Sequence, residues 1–225
     1  MMDTNPRYVS DAKMIQQKAP EMFERVKSGK MSIPQAKREI VKQERREAPP
    51  LPSDKYRVIY ADPPWSYGNS GAGIDNYGPA ERHYPAMTIQ ELCDLPVKGL
   101  AEDNAVLFLW VTSPLLEECF PVIKAWGFKY KTSFVWDKVG HNFGHYNSVR
   151  HELLLVCTRG SCTPDKLQLF DSVQSIEKSR THSEKPQEFR QIIDTLYTNG
   201  RKLELFARGE YAGWEVWGNE PDITG

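Results

Sequence analysis

The spacing of apolar positions changes near Pro49. Before it, they recur at helical intervals, and residues 9–47 predict short helices. Pro20 opens one of them, with Met22, Phe23 and Val26 on a single face and Gly29 as its stop. Ser32-Ile33-Pro34-Gln35 has the form of a capping box, and Ile33, Ala36, Ile40 and Val41 continue the helical spacing behind it. Pro49-Pro50-Leu51-Pro52 reads as a stiff extended linker. The expected organisation is a helical appendage over 1–48, a proline-rich linker over 49–55 and a main domain over 56–225.

Beyond the linker the apolar residues gather into short runs. Tyr56–Ala61 predicts a buried strand that ends in Asp62-Pro63-Pro64-Trp65, and Ala105–Val111 predicts a second, apolar enough to be covered on both faces. Ser113 with Pro114 predicts a helix lined by Leu116, Cys119, Phe120 and Ile123, kinked at Pro121 and ended by Gly127. Lys129–Trp136, Glu152–Thr158 and Leu203–Ala207 predict three further strands. An amphipathic helix with Phe189, Ile192, Ile193, Leu196 and Tyr197 on its apolar face falls between the last two. Strands alternating with helices imply an α/β layered sheet, parallel or mixed, with ligands beyond the carboxyl ends of its strands.

Composition narrows the class. The chain has 225 residues, 40% of them hydrophobic and 26% charged, enough for a full core and unlike a disordered chain. No apolar run approaches the ~18 residues of a membrane span, and the polar N-terminus does not read as a signal peptide. Cys93, Cys119, Cys157 and Cys162 form no C-x-x-C pair and read as free thiols in a reducing cytoplasm. The net charge of −1 conceals an asymmetry: residues 1–48 hold 11 Lys/Arg and 7 Asp/Glu, against 18 and 23 in the remainder. A basic segment of this kind suits a nucleic-acid contact; apolar packing on the core or on a second subunit is the alternative.

The candidate chemistry centres on Asp62-Pro63-Pro64-Trp65. Two prolines after a strand remove two N–H donors and force the backbone before them to stay extended. The product is a rigid edge with a carboxylate, a carbonyl and an indole, suited to a planar amine; an ordinary strand exit with a packed Trp is the other reading. Residues 66–86 form a long glycine-rich loop, read as a substrate-ordered lid in which Tyr67, Asn69 and His83 could touch substrate. His141, His145 and His151 lack the helical spacing and the companion ligands of a metal site, so no metal is expected.

Asp62-Pro63-Pro64-Trp65 resembles the catalytic tetrapeptide of the MT-A70 family, S-adenosylmethionine-dependent adenine N(6)-methyltransferases. Further landmarks similar to that family's follow in order. They are His83-Tyr84-Pro85-Ala86-Met87, Leu107-Phe108-Leu109-Trp110, His151-Glu152, Arg159-Gly160 and His182-Ser183-Glu184-Lys185-Pro186. Leu203-Glu204-Leu205-Phe206-Ala207-Arg208, Gly213-Trp214 and Trp217-Gly218-Asn219-Glu220 complete the series.

The resemblance implies a Rossmann-like methyltransferase sheet, circularly permuted so that the catalytic strand precedes the cofactor strand. It implies catalytic roles for Asp62, Pro63, Pro64 and Trp65, with Asp62 and the Pro63 carbonyl accepting from the adenine amine and Trp65 stacking on the base. It places S-adenosylmethionine against Asp62, Lys185, Arg208, Asn219 and Glu220, and substrate against Trp65, Tyr67, Asn69, His83 and His182. Gly209-Glu210-Tyr211-Ala212 stands where the family's RNA-modifying members carry a longer insert, so those members' contacts there do not transfer. The expected substrate is adenine in DNA. Methylation of RNA, or a non-catalytic nucleic-acid-binding partner of the same fold, is the alternative; a homodimer is left open.

Overall fold

The computed structural model describes residues 6–46, 50–66, 86–140, 146–179 and 184–218. The chain divides into two compact units, Met1–Pro50 and Leu51–Gly225.

The first unit holds three helices, α1 (Pro6–Lys18), α2 (Pro20–Lys27) and α3 (Ile33–Arg46). Ala19 separates the first two with φ −149°, and its carbonyl accepts from the amides of Met22 and Phe23, opening α2. A Schellman stop closes α2. Gly29 takes φ +73°, its amide returns to the Val26 carbonyl and the Lys30 amide returns to the Arg25 carbonyl. The capping box at Ser32 forms as its sequence predicts: the Gln35 amide reaches the Ser32 hydroxyl at 3.3 Å, and the Ser32 amide reaches Gln35 Oε1 at 2.9 Å. Ile15, Ala19, Ala36 and Ile40 are the buried centre, flanked by Met22, Phe23 and Val26.

The second unit is built on a seven-stranded sheet. Its strands are β1 (Tyr56–Ala61), β2 (Ala101–Val111), β3 (Lys129–Asp137), β4 (His151–Arg159), β5 (Val173–Ser175), β6 (Lys202–Leu205) and β7 (Glu215–Trp217). Their order across the sheet is β5-β3-β4-β2-β1-β6-β7. β4 runs antiparallel to β2 and β3; the pairs β1/β2, β1/β6, β6/β7 and β3/β5 are parallel. The sheet is thus mixed α/β, with β4 alone reversed.

Strand alternation feeds two cores. Ile59, Ala61, Leu107, Leu109, Leu203 and Leu205 pack on one side against α4 (Ile89–Asp94), α5 (Val97–Leu100) and α6 (Cys119–Ala125). Val58, Tyr60, Val106, Phe108 and Trp110 pack on the other against α7 (Gln187–Leu196), through Phe189, Ile192, Ile193 and Leu196. Sheet positions that are apolar on both faces therefore read as continuous runs in the sequence.

Four expectations are corrected. The helix expected from Ser113 is a single 3-10 turn, Ser113–Leu115, followed by a separate α6, in which Pro121 is the third residue. A proline there needs no intrahelical amide partner, so it produces no kink. Phe120, expected on the buried face, is 42% exposed. The strand expected to reach Ala207 stops at Leu205, because Phe206 turns to φ +62° and leaves extended geometry. β2 begins at Ala101, ahead of the apolar run, since Glu102, Asp103 and Asn104 sit at its exposed end.

Candidate active site

The sheet direction gathers one set of residues at one edge. β1, β2, β3 and β6 all end there, at Asp62, Thr112, Lys138 and Phe206, while the reversed β4 begins there with His151 and Glu152. β1 lies between β2 and β6. The connection from β1 to β2 carries α4 and α5 on one face; the helix before β6, α7, covers the other. Connections that depart to opposite faces from neighbouring strands open a crevice at their carboxyl ends. Asp62 and the Phe206–Arg208 segment are the two lips of that crevice.

An alternating chain of charges fills it. Lys185 Nζ lies 2.8 Å from Asp62 Oδ2 and 3.3 Å from Glu152 Oε2, and the other Glu152 oxygen accepts from Lys138 Nζ. Lys185 also sits 5.5 Å from the centre of the Trp110 ring, and Lys138 lies 5.0 Å from that of Trp136. Burial alone would lower the pKa of the Lys185 ammonium, but Asp62 and Glu152 outweigh it and hold the group above its ordinary value. Burial pushes the Glu152 carboxyl up, and Lys185 with Lys138 more than reverses that. Both groups are therefore charged at neutral pH. With Oδ2 taken by Lys185, Oδ1 of Asp62 is the oxygen placed to accept a further N–H.

The strand exit is a local turn, and the indole is packed beneath it. Pro63 is buried and its carbonyl accepts from the Trp65 amide at 2.8 Å in a tight turn. Pro64 O accepts from the Met87 amide at 2.7 Å, and the Ser66 amide donates to Met87 O at 2.9 Å. These two bonds clamp the stems of the glycine-rich loop to each other. Trp65, expected as an open stacking face, is only 8% exposed, and its indole N–H donates to the Trp110 carbonyl at 3.0 Å. That carbonyl sits next to the end of β2, and an indole with its one donor satisfied there is a packed wall beneath the edge, not a free platform.

Other expected residues are placed as follows. Arg208 is half-buried just beyond β6, where the Ala207 amide is tied to Trp217 O at 3.1 Å. His151 pairs through Nε2 with the Ser113 hydroxyl at 3.0 Å. Tyr67, Asn69, His83, His141, His145, His182, Asn219 and Glu220 lie outside the described residues.

Two features escaped the sequence reading. Glu152, itself paired with Lys138, holds Lys185; the signal available was a carboxylate at the head of an apolar strand, Glu152-Leu153-Leu154-Leu155. On β6, Glu204 is buried and accepts from Arg190 at 2.6 and 3.1 Å, while the Arg190 guanidinium stacks 3.4 Å from the centre of the Tyr211 ring. That pair fastens the segment after Arg208 to α7. Phe206, a bulky residue in left-handed backbone geometry, marks strain at this same edge.

A doubly covered, mostly parallel sheet with a charged crevice at its strand ends defines an α/β protein of the kind that binds ligands beyond the carboxyl ends of its strands. Comparison with known proteins narrows the class: the MT-A70 family profile matches residues 56–220, and the chain belongs to that family. It is 38% identical over 191 residues to the Type II methyltransferase M.MunI of Mycoplasma sp, covering 77% of this chain and 82% of that one. It is 30% identical over 176 residues to a putative N(6)-adenosine-methyltransferase MT-A70-like protein of Medicago truncatula, and 28% identical over 179 residues to the human N(6)-adenosine-methyltransferase catalytic subunit METTL3. The chain spans 26% and 28% of those two longer proteins.

Proposed function

We propose that this protein transfers a methyl group from S-adenosylmethionine to the exocyclic amine of adenine in DNA. The observation that carries the reading is the Asp62–Lys185–Glu152 chain, which fixes the Asp62 carboxyl group at the open end of β1 with one oxygen against Lys185. An adenine amine is a weak nucleophile because its lone pair is delocalised into the ring. Asp62 Oδ1 and the Pro63 carbonyl accept its two N–H bonds, which localises the lone pair on nitrogen and aims it. Pro63 O already takes one amide bond, and a carbonyl's second lone pair serves the amine.

The crevice suits the cofactor. Its β6 lip brings Arg208 beside the strained Phe206 turn, and the Glu204–Arg190 pair holds that lip to α7. Lys185, Arg208, Asn219 and Glu220 are the residues proposed to hold S-adenosylmethionine, Lys185 and Arg208 by charge and the last two at the ribose hydroxyls. The cofactor supplies an electrophilic methyl on a sulfonium. With the cofactor bound, Asp62 Oδ1 and the Pro63 carbonyl would hold the amine in line with that methyl; the thioether would be the leaving group, and the amine's proton would pass to water. No covalent enzyme intermediate is required, and rate comes from alignment and charge placement. A base reaches such an edge only when single-stranded or flipped out of a duplex.

The topology supports a circularly permuted Rossmann-like methyltransferase: the strand bearing the tetrapeptide comes first in the chain, and β6 and β7, the cofactor side, come last. DNA is favoured over RNA by the match in length to a Type II methyltransferase and by the basic first unit. No described helix is long and apolar enough to cross a membrane, and the four cysteines are unpaired, which suits work in the cytoplasm.

The deciding experiment incubates the protein with methyl-labelled cofactor and matched DNA and RNA oligonucleotides, single- and double-stranded, then digests them to nucleosides. N(6)-methyldeoxyadenosine from DNA is the expected product. Label found solely in RNA would transfer the reading to RNA, and label in neither would overturn it.

A further inference from the structure

We propose that residues 6–46 are a helix-turn-helix that lays α3 in the major groove of duplex DNA, with Arg25, Lys27 and Lys30 along the flanking phosphates. The proposal deepens the DNA reading above and rests on it for the identity of the substrate; it does not depend on the catalytic step.

The fold of this unit carries the first part of the argument. An eight-residue helix, a short turn with glycine in left-handed geometry and a 14-residue helix follow one another, and α1 completes a shared core. Helix-turn-helix modules have this construction, with the second helix as the reader. Here the turn is fixed at both ends, by the Schellman bonds of Gly29 and Lys30 and by the Ser32–Gln35 box. A turn whose amides from Ser28 to Ser32 all find acceptors restrains α3 relative to α2, which a module that must match a groove requires.

Charge carries the second part. Arg25, Lys27 and Lys30 are all exposed at the junction of α2 and the turn. Lys27 meets Glu24 only at 3.8 Å, with both side chains about two-thirds exposed, so that contact leaves its charge available. In the sequence of α3, Arg38, Lys42 and Arg45 stand four and three residues apart, a helical stripe of positions away from Ala36 and Ile40, which are buried. The unit is positive where the remainder of the chain is negative, so the catalytic body on average repels a polyanion and gains from a basic partner unit.

Groove dimensions select DNA. A helix about 10–12 Å across with its side chains enters the ~12 Å major groove of B-form DNA. The deep, narrow major groove of A-form RNA does not admit one. The competing role, apolar packing on another surface, needs exposed apolar area, and the exposed large hydrophobics described in this unit are confined to Tyr8 and Val9 on α1.

The test uses the full chain and a variant carrying Arg25→Ala, Lys27→Ala and Lys30→Ala, all exposed positions whose loss leaves the helix core intact. Binding to a fluorescent DNA duplex, and to an RNA duplex of the same sequence, is measured over a salt series without cofactor. Methylation of a short single-stranded DNA is measured alongside. For DNA, the expected result is at least a tenfold loss of affinity for the variant at low salt. The slope of log affinity against log salt should become shallower by about 2–3, near 0.9 per phosphate contact. The RNA duplex should bind more weakly, and single-strand turnover at saturation should be unchanged. An unchanged DNA affinity and slope in the folded variant overturns the proposal. So does an equal loss on both duplexes, or a change of oligomer size by gel filtration with the salt slope intact. Normal DNA binding by a wild-type protein that methylates nothing would instead overturn the proposed function and leave this inference standing.

Discussion

At the residue scale, the site is a problem of keeping charges where water would otherwise separate them. Lys185 takes one oxygen of Asp62, and Glu152 keeps Lys185 in place; the other Asp62 oxygen is the one proposed to meet substrate. Asp62→Ala should therefore cost about a hundredfold or more in turnover, the scale of a lost transition-state contact, and should also lower the melting temperature, because buried Lys185 keeps only Glu152 as a partner; single-turnover assays with calorimetric melting check both. Glu152→Gln should be costly to the fold as well, by on the order of 3 kcal/mol, because two ammonium groups lose a shared buried partner. The pH profile identifies this pair. The Glu152 carboxyl is held below its ordinary value of 4.5, so its contribution is present above that pH and is lost as pH falls through the lower folded value. The wild-type melting temperature should decline below about pH 4.5, and Glu152→Gln should flatten that decline; calorimetry from pH 3 to 7 measures it. Trp65→Phe distinguishes a wall from a stacking platform. Leaving the Trp110 carbonyl without its donor should cost about 1–3 kcal/mol in denaturant unfolding, while a stacking role would appear as a raised KM with stability unchanged.

At the element scale, backbone geometry decides where strands stop. β4 stops just before Gly160, which has φ +59° and where an added Cβ would lie 2.3 Å from the Asp103 carbonyl oxygen and 2.4 Å from Asn104 Oδ1. Neither the backbone of β2 nor Asn104, which also receives the Ser161 amide at 2.7 Å, can retreat cheaply. Gly160→Ala should lose more than about 2 kcal/mol, combining strain and clash. Gly213→Ala, at φ +80° with nothing near the added carbon, should lose only the ~1 kcal/mol of left-handed strain. Urea titration of the two variants makes the comparison. Other elements were legible because their signals are local. The run Ala105–Val111 and the face Phe189, Ile192, Ile193, Leu196 announce β2 and α7. β5 and β7 have three residues each, too short for a period, and exist because neighbouring strands offer an edge to pair with. α4 has six residues, under two turns, although Thr88 and Glu91 form a complete capping box that could have revealed it.

For the whole molecule, the division into two units predicts that they can be separated in function. A chain of residues 51–225 retains both cores of the sheet and every residue of the charged crevice. It should melt in one transition and bind S-adenosylmethionine with an unaltered dissociation constant, while its affinity for duplex DNA falls. Titration calorimetry with cofactor and with duplex tests the two halves of that expectation. A truncation that fails to bind cofactor would show that the first unit contributes to the catalytic one.

The sequence by itself determined the α/β class, the main strands, the boundary near Pro49 and the tetrapeptide that marks the site. Each of these is written in a few adjacent residues, as a period, a proline pair or a cap. The tertiary structure alone decided that β4 runs against its neighbours, which brings Glu152 within reach of Lys185, the lysine that holds Asp62. It also decided that Trp65 is buried, because the Trp110 carbonyl that satisfies its indole belongs to a different strand. Partners remote in sequence leave no local pattern, and the roles of residues that act through such partners are fixed only when the sheet assembles.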